Sequence, residues 1–195
     1  MNDQGQPVLY AVVTGAPVAR DVGTLVDLAQ AAGWDVCVVA SPNGLRFIDA
    51  DRLSAKTGYP VRSQYKEPDA PDMLPSADGM IVAPITSNSL AKWAVGISDT
   101  LPLGLLVEAV GWGLPVVAVP FVNRALFDFP PVGQAAQKLS EWGVTVLTED
   151  PPHEPRTGGA YRERFPWSDA WQALLDHPGL TARKVRNEDQ PWQPS

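Results

Sequence analysis

The chain has 195 residues, of which 45% are hydrophobic, and a formal net charge of −7 at pH 7. This length suits one domain with a sizeable core. The acidic balance argues against nonspecific nucleic-acid binding, because nothing would offset repulsion from the phosphates. No apolar run reaches membrane-spanning length, and no pair of cysteines or histidines has metal-ligand spacing.

The single cysteine, Cys37, excludes an internal disulfide. The first ten residues are polar and have neither the basic nor the apolar region of a signal peptide. We therefore expect a cytoplasmic protein whose partner is a small molecule or a peptide, with no nucleic acid and no membrane.

Strands and helices alternate along the first half of the chain. Val8 to Thr14 is an apolar, β-branched run of strand length, and residues 21–32 follow with helical periodicity and a stop at Gly33. A second strand is predicted over residues 34–40, and the turn that follows it leads into a short helix over residues 44–48. Residues 61–65 are predicted as a short strand and residues 66–76, which are broken by prolines, as a loop.

The same alternation continues to the end of the chain. A strand that begins near Ala77 leads into a helix capped by Asn88 or Ser89, with Leu90, Trp93, Ala94 and Ile97 as its apolar positions. Further helices are predicted over residues 102–111, 130–142 and 167–177, and strands over 115–120 and 143–147. Residues 148–166 are predicted as a long loop, either a lid or an assembly arm. The domain is expected to cover residues 8–180, between an N-terminal tail of residues 1–7 and a mobile tail from residue 181.

This order of elements predicts an α/β fold, a doubly wound (Rossmann-like or flavodoxin-like) parallel sheet with helices on both faces. Ligands on such sheets bind at the carboxyl ends of the strands. Four turns with small or polar residues would converge there, and they contain Gly15, Ser41, residues 86–89 and Asn123. A phosphate suits the first turn, because small residues let backbone N–H groups approach it. That turn is also compatible with an ordinary strand-to-helix connection, and without GxGxxG it is not a dinucleotide site.

The segment Pro84-Ile85-Thr86-Ser87-Asn88-Ser89, with the following Ala91 to Leu101, resembles the PASANT signature and the next helix of the FMN-dependent cysteine decarboxylases. That family includes phosphopantothenoylcysteine decarboxylase and the peptidyl-cysteine decarboxylases of lantibiotic-type pathways. The similarity runs from about residue 8 to 147 and implies FMN, with its phosphate near Ser41 and its ring near Ile85 to Asn88. The cofactor-binding residues that it implies are Gly15, Ala16, Ser41, Phe47, Pro84, Ile85, Thr86, Ser87 and Ser98. Ser41 is equally compatible with a helix cap alone.

Two amides are the predicted substrate contacts, Asn88 and Asn123. Asn123 stands in a segment similar to the family's PxMNxxMW motif, in which Val122, Leu126 and Phe127 replace the two Met and the Trp. Amide N–H groups can hold a carboxylate.

Two groups that the resemblance implies are absent here. The family His would align within residues 71–74, where Asp69 or Asp72 is the available substitute base, and no Cys stands in residues 148–166. His153 lies in that long loop, where a histidine is more often solvated than catalytic.

The resemblance implies oxidative decarboxylation of a cysteine, in a peptide C-terminus or a small molecule, to an enethiol. The alternative is a flavin-binding homologue without this activity, either a regulatory or structural subunit or another oxidoreductase, because the family His and Cys are missing. A prenyl-flavin synthase is a weaker option, since its phosphate would need more basic loops. The resemblance also implies a homo-oligomer, a trimer or a dodecamer.

Overall fold

Five parallel strands form one sheet in a computed structural model that describes residues 5–71, 73–148 and 152–180. The strands are β1 (Val8–Val13), β2 (Asp35–Ala40), β3 (Gly79–Ile85), β4 (Val116–Pro120) and β5 (Thr145–Val146), and their spatial order is β2-β1-β3-β4-β5. The fold class predicted from the sequence is confirmed. The strand predicted over residues 61–65 is wrong, because Arg62 forms only an isolated bridge to Val39. The last strand is also shorter than predicted, two residues at the edge of the sheet.

Eight α-helices occur in the described residues. They are α1 (Gly23–Ala31), α2 (Ala50–Thr57), α3 (Ser87–Ala94), α4 (Leu101–Gly111), α5 (Arg124–Phe127), α6 (Pro130–Glu141), α7 (Gly158–Tyr161) and α8 (Trp167–Leu175). Three short 3-10 turns cover Pro17–Asp21, Gly44–Phe47 and Arg162–Arg164. The predicted helix over residues 21–32 is α1, which begins two residues later than predicted, after the first 3-10 turn. The sequence reasoning missed α2. The predicted mobile tail from residue 181 lies outside the described residues.

Alternate residues of β1 lie in two different cores. Val8, Tyr10 and Val12 belong to a core on one face of the sheet, which α3, α4 and α6 cover. Leu9 and Ala11 belong to the core on the other face, covered by α1, α2 and α8. The period of two in the strand therefore separates the helical layers. This is the doubly wound arrangement.

The C-terminal helix α8 packs on the second core through its tryptophans. Trp171 meets Trp34 edge to face, with ring centroids 5.4 Å apart, and Trp167 is 7% exposed. Aromatic pairs of this kind contribute about 0.5–1.5 kcal/mol beyond the area they bury. These tryptophans therefore dock α8 against the sheet of its own chain.

The strand order positions the site. β1 lies between β2 and β3, so the chain leaves β1 in one direction along the sheet and continues from β3 in the other. In doubly wound sheets, the loops at this switch point diverge and leave a crevice at the carboxyl ends of the strands. Among the described residues, no helix combines the length and apolar character that crossing a bilayer requires.

Candidate functional site at the carboxyl ends of the strands

Backbone hydrogen bonds join the ends of neighbouring strands into one edge. The N–H of Ser41 donates to Val13 O at 2.9 Å, and the N–H of Thr14 donates to Pro84 O at 3.0 Å. The N–H of Phe121 donates to Ile85 O, also at 3.0 Å. The turns after β2, β1, β3 and β4 therefore lie side by side, as the sequence predicted.

The turns after β1 and β2 are in close contact. A Cβ atom added at Gly15 would lie 2.8 Å from the Asn43 Cβ, and one added at Gly44 would lie 2.8 Å from Val13 O. The Ser41 hydroxyl accepts a hydrogen bond from the N–H of Gly44 at 3.0 Å. Ser41 therefore caps this turn, as one of its two predicted roles requires. Capping uses only the hydroxyl oxygen, so the hydroxyl proton can still be donated to a phosphate.

The turn after β3 is capped by Thr86. Its side chain accepts from the N–H of Ser89 at 3.4 Å, so the prediction that Asn88 or Ser89 caps α3 is wrong. The start of the helix is fixed by a contact with β1, because the N–H of Thr86 donates to the buried Thr14 hydroxyl at 2.9 Å. Ser87 and the exposed Asn88 form the first turn of α3, where N–H groups have no partner within the helix and the dipole favours an anion.

Asn123 caps the short helix after β4. Its Oδ1 accepts from the N–H of Leu126 at 3.1 Å, which orients the side chain. Capping consumes the carbonyl oxygen, so the amide Nδ2 is the part that remains to donate. This geometry leaves Asn123 able to donate a hydrogen bond to a substrate carboxylate, the role predicted for it.

Other predicted cofactor contacts have different surroundings. Pro84 and Ile85 are buried, and the Ile85 side chain belongs to the first core, so these residues shape the edge without offering side chains to it. Ala16 is 3% exposed, and Phe47 packs against the second core.

At 1.5 Å per residue, α3 is about 12 Å long. Ser98 follows its C-terminal end, whereas the strand ends lie at its N-terminus. It lines a different cavity, of about 510 Å³, together with Tyr65 and Glu108. The structure therefore does not bring Ser98 to the strand ends of its own chain. Ile97, predicted as an apolar position of α3, is 43% exposed because the helix ends at Ala94.

Residues 152–164, which we name the strap, cross the carboxyl edge of the sheet. Near β4, the N–H of Arg124 donates to His153 O at 2.8 Å, and the Arg124 Nε lies 2.9 Å from Glu154 Oε1. At the other end, the Arg162 guanidinium binds both carboxylate oxygens of Asp21. This hydrogen bond is the main cause that raises the pKa of Arg162. Within the loop predicted over residues 148–166, the strap contains two short helical elements, α7 and a 3-10 turn.

The strap borders an open cavity of about 930 Å³ beside the ends of β4 and β5. His153 and Tyr161 lie in its wall with their ring centroids 5.2 Å apart, and Phe121 packs behind them, 4.8 Å from the His153 centroid. Sequence reasoning missed Phe121, Arg124 and Arg162, whose contacts join distant segments and leave no local pattern. Of the two acidic substitutes that the sequence suggested, Asp69 is exposed and Asp72 lies outside the described residues.

Cys37 is buried in β2 and is not a candidate nucleophile. Desolvation, and secondly the charge of Asp35, raises the pKa of its thiol far above the ordinary range. The neutral thiol is inert, because the thiolate is the reactive form.

The edge fits a flavin phosphate. It offers backbone N–H groups, the Ser41 and Ser87 hydroxyls and the start of α3, which suit an anion without requiring a cluster of lysines. The connections that follow β1 and β3 run in opposite directions from the switch point, which leaves room for a ligand between them.

Comparison with known proteins identifies the family. The sequence profile described as Flavoprotein matches residues 2–163. The chain belongs to the flavoprotein family. The resemblance seen in the sequence is thereby confirmed at the level of the family.

Relatives of this flavoprotein are about 30% identical to it. A probable phosphopantothenoylcysteine decarboxylase of Arabidopsis thaliana is 30% identical over 160 residues, 78% of this chain and 74% of that protein. The bifunctional coenzyme A biosynthesis protein CoaBC of Thermococcus kodakarensis is 29% identical over 120 residues, 59% of this chain. The match covers 30% of the CoaBC protein, so this chain spans about a third of its bifunctional relatives.

Solved structures of similar fold agree with the architecture. The FMN-dependent cysteine decarboxylase TvaF of thioviridamide biosynthesis superposes with a TM-score of 0.66 at 23% identity, over 88% of this chain and 100% of that one. The epidermin biosynthesis protein EpiD of Staphylococcus aureus gives 0.58 at 22% identity, over 72% and 81%. At these identities the likeness establishes the fold.

Proposed function

We propose that this flavoprotein binds FMN and catalyses the oxidative decarboxylation of a cysteine, at a peptide C-terminus or in a small molecule, to an enethiol. The observation that carries this proposal is the bonded row of strand ends, which brings the turns of Gly15, Ser41, Thr86 and Asn123 together at the switch point. The Arabidopsis relative, described as a probable phosphopantothenoylcysteine decarboxylase, supports the reaction class.

We place the phosphate against the turns after β1 and β2, where Ser41 can donate its hydroxyl proton. The turn after β3, with Thr86, Ser87 and Asn88, would then hold the ring. When bound, FMN would supply an acceptor for a hydride, and the resulting C=S group would take up the electrons left by CO2. The protein orients the substrate so that this carbon faces the flavin.

Asn88 and Asn123 hold the substrate carboxylate through their N–H groups. A neutral amide suits this task better than arginine, because a guanidinium would stabilise the ground-state carboxylate that must leave as CO2. The capping bond of Asn123 fixes its side chain before substrate arrives, which lowers the entropic cost of binding.

A homo-oligomer is part of the proposal. Val95 and Ile97, 67% and 43% exposed, follow α3 beside Ser98, and Tyr65 and Met73 are each 53% exposed around the same cavity. Apolar side chains grouped in this way are typical of interfaces. Ser98 would then reach a flavin only across such a boundary. The cytoplasmic location stays a prediction, consistent with the free Cys37.

The second candidate is a flavin-binding protein without decarboxylase activity, favoured by the absence of histidine from residues 66–76. The two functions are separated by recording the visible spectrum and incubating the protein with a peptide that ends in cysteine. We expect a yellow protein and a mass loss of about 46 Da, the sum of CO2 and two hydrogens, since the cofactor takes the hydride. The same peptide ending in serine is the control. A yellow protein that leaves both peptides unchanged would support the second candidate.

A further inference from the structure

His153 lies on the strap and contacts the residue that follows Asn123, the predicted hydrogen-bond donor to the substrate carboxylate. Its backbone carbonyl accepts from the N–H of Arg124, the residue after Asn123, at 2.8 Å. The next residue of the strap, Glu154, binds the Arg124 side chain at 2.9 Å. Two contacts on consecutive residues therefore fix the backbone of His153 next to the end of β4.

The imidazole of His153 packs against two neighbouring aromatic rings. Its centroid is 4.8 Å from that of Phe121 and 5.2 Å from that of Tyr161, and the Tyr161 ring is stacked at 19°. His153 is half-buried and lines the cavity of about 930 Å³ under the strap. The sequence-based interpretation of a solvated loop histidine does not describe this environment. The Phe121 and Tyr161 centroids are themselves 6.1 Å apart, so the three rings form one cluster.

The other histidine of the chain has a structural position. The sequence contains two histidines, His153 and His177. His177 Nδ1 accepts from the N–H of Gly179 at 3.1 Å, and its Nε2 lies 3.0 Å from Gly143 O. Gly143 precedes β5, so His177 lies toward the amino ends of the strands. His153 is therefore the only imidazole of the chain at the carboxyl edge.

We propose that the imidazole of His153 accepts the proton of the substrate thiol, an inference that rests on the proposed function. The S–H bond breaks and its proton passes to the imidazole. The electron pair of the adjacent C–H bond leaves as a hydride to the oxidised flavin, and a C=S double bond forms. A free thiol ionises near pH 8.5, so a base beside it is needed at neutral pH, and imidazole exchanges protons in that range.

The wall of this cavity supplies no better base among the described residues. The Glu154 carboxylate already binds Arg124. Asp169, the other acid in the cavity wall, belongs to α8 and not to the strap. A carboxylate is also a weaker match for a thiol than imidazole, because general bases work best when their acidity is close to the working pH.

The test uses the full-length protein and two matched variants, His153→Gln and His177→Gln. Positioned general bases contribute about 100-fold to 10,000-fold, so we expect kcat with a cysteine-terminated peptide to fall at least about 100-fold in His153→Gln. FMN affinity should stay unchanged in His153→Gln, and His177→Gln should keep both properties. An unchanged kcat in His153→Gln would overturn this inference while leaving the decarboxylase function intact.

A second readout needs no turnover. Two histidines give two imidazole Cε1–H signals by NMR, and His177→Gln assigns them. With the flavin reduced and the same peptide added, we expect the His153 signal to shift and the His177 signal to stay. A bound peptide that shifts neither signal, or only that of His177, would contradict the proposal. A protein that binds neither FMN nor the peptide would overturn the proposed function and this inference together.

Discussion

Thr14 and Thr86 are joined by a hydrogen bond that connects the ends of β1 and β3. The N–H of Thr86 donates to Thr14 Oγ1 at 2.9 Å, and Thr14 Oγ1 donates to Pro84 O at 3.0 Å. Thr14 is 2% exposed, so this hydroxyl serves as a buried connector between the two strands that flank the switch point. The N-cap of α3 depends on it, because Thr86 begins the helix.

Replacing Thr14 with valine tests that connector. The shape is kept, but the N–H of Thr86 loses its partner, so we expect a loss of about 1–3 kcal/mol in the free energy of unfolding. Chemical denaturation measures this loss. Thr24→Val, at an exposed position of α1, is the control and should change stability far less. Equal effects of the two substitutions would show that the connector is unimportant.

Gly15→Ala tests the contact between the first two turns. The new Cβ would lie 2.8 Å from that of Asn43, so the turns must separate and the phosphate site with them. We expect the dissociation constant for FMN to rise roughly tenfold, which is about 1.4 kcal/mol. Gly23→Ala, where a Cβ meets nothing within 4 Å, is the control. Adding Asn43→Gly should recover affinity, and a double variant as weak as Gly15→Ala would contradict this reason.

Two substitutions at Asn123 separate capping from substrate binding. Aspartate keeps an oxygen for the N–H of Leu126 but loses the amide donors, so stability should be retained while activity on cysteine peptides is lost. Alanine removes both functions and should also cost about 1 kcal/mol of stability. Steady-state kinetics and denaturation of the same preparations check this. Full activity in Asn123→Asp would remove the carboxylate role.

Cys37 gives stability a dependence on alkaline pH. Burial raises the pKa of this thiol, so the folded protein holds it neutral, whereas the unfolded chain ionises it above about pH 8.5. The stability that it contributes is fully present below that pH and is lost as the pH rises, by up to about 1.4 kcal/mol per unit. The difference in unfolding free energy between wild type and Cys37→Ala should therefore shrink from pH 8 to 10. A constant difference would contradict the burial argument.

The sequence predicted most of what local pattern can carry. Buried strands, the alternation of layers and the position of the polar turns followed from apolar periodicity and glycine stops such as Gly33. The helix cap was assigned wrongly because several neighbouring residues were equally good candidates for it. In Thr86-Ser87-Asn88-Ser89 each residue can cap a helix, and the choice of Thr86 comes from its bond to Thr14, 72 positions earlier.

The missed elements lack a strong local signal. α2 buries one side chain, Leu53, so it has little apolar periodicity. The Asp49 cap and the Gly58 stop were the signals that could have identified it. The strap is held by long-range contacts, of which the Arg162–Asp21 pair spans 141 positions. No window of sequence contains both partners. The environment of His153 depends on this strap, and for that reason only the folded chain shows it.

Binding of FMN and of riboflavin to the flavin-free protein tests the central claim most directly. If the turns of Gly15 and Ser41 hold a phosphate, FMN should bind with one flavin per chain, and riboflavin, which lacks the phosphate, should bind at least about 100-fold more weakly, a difference of about 2.7 kcal/mol. Quenching of flavin fluorescence in a titration measures both constants. Equal affinities, or no binding of FMN, would contradict the account.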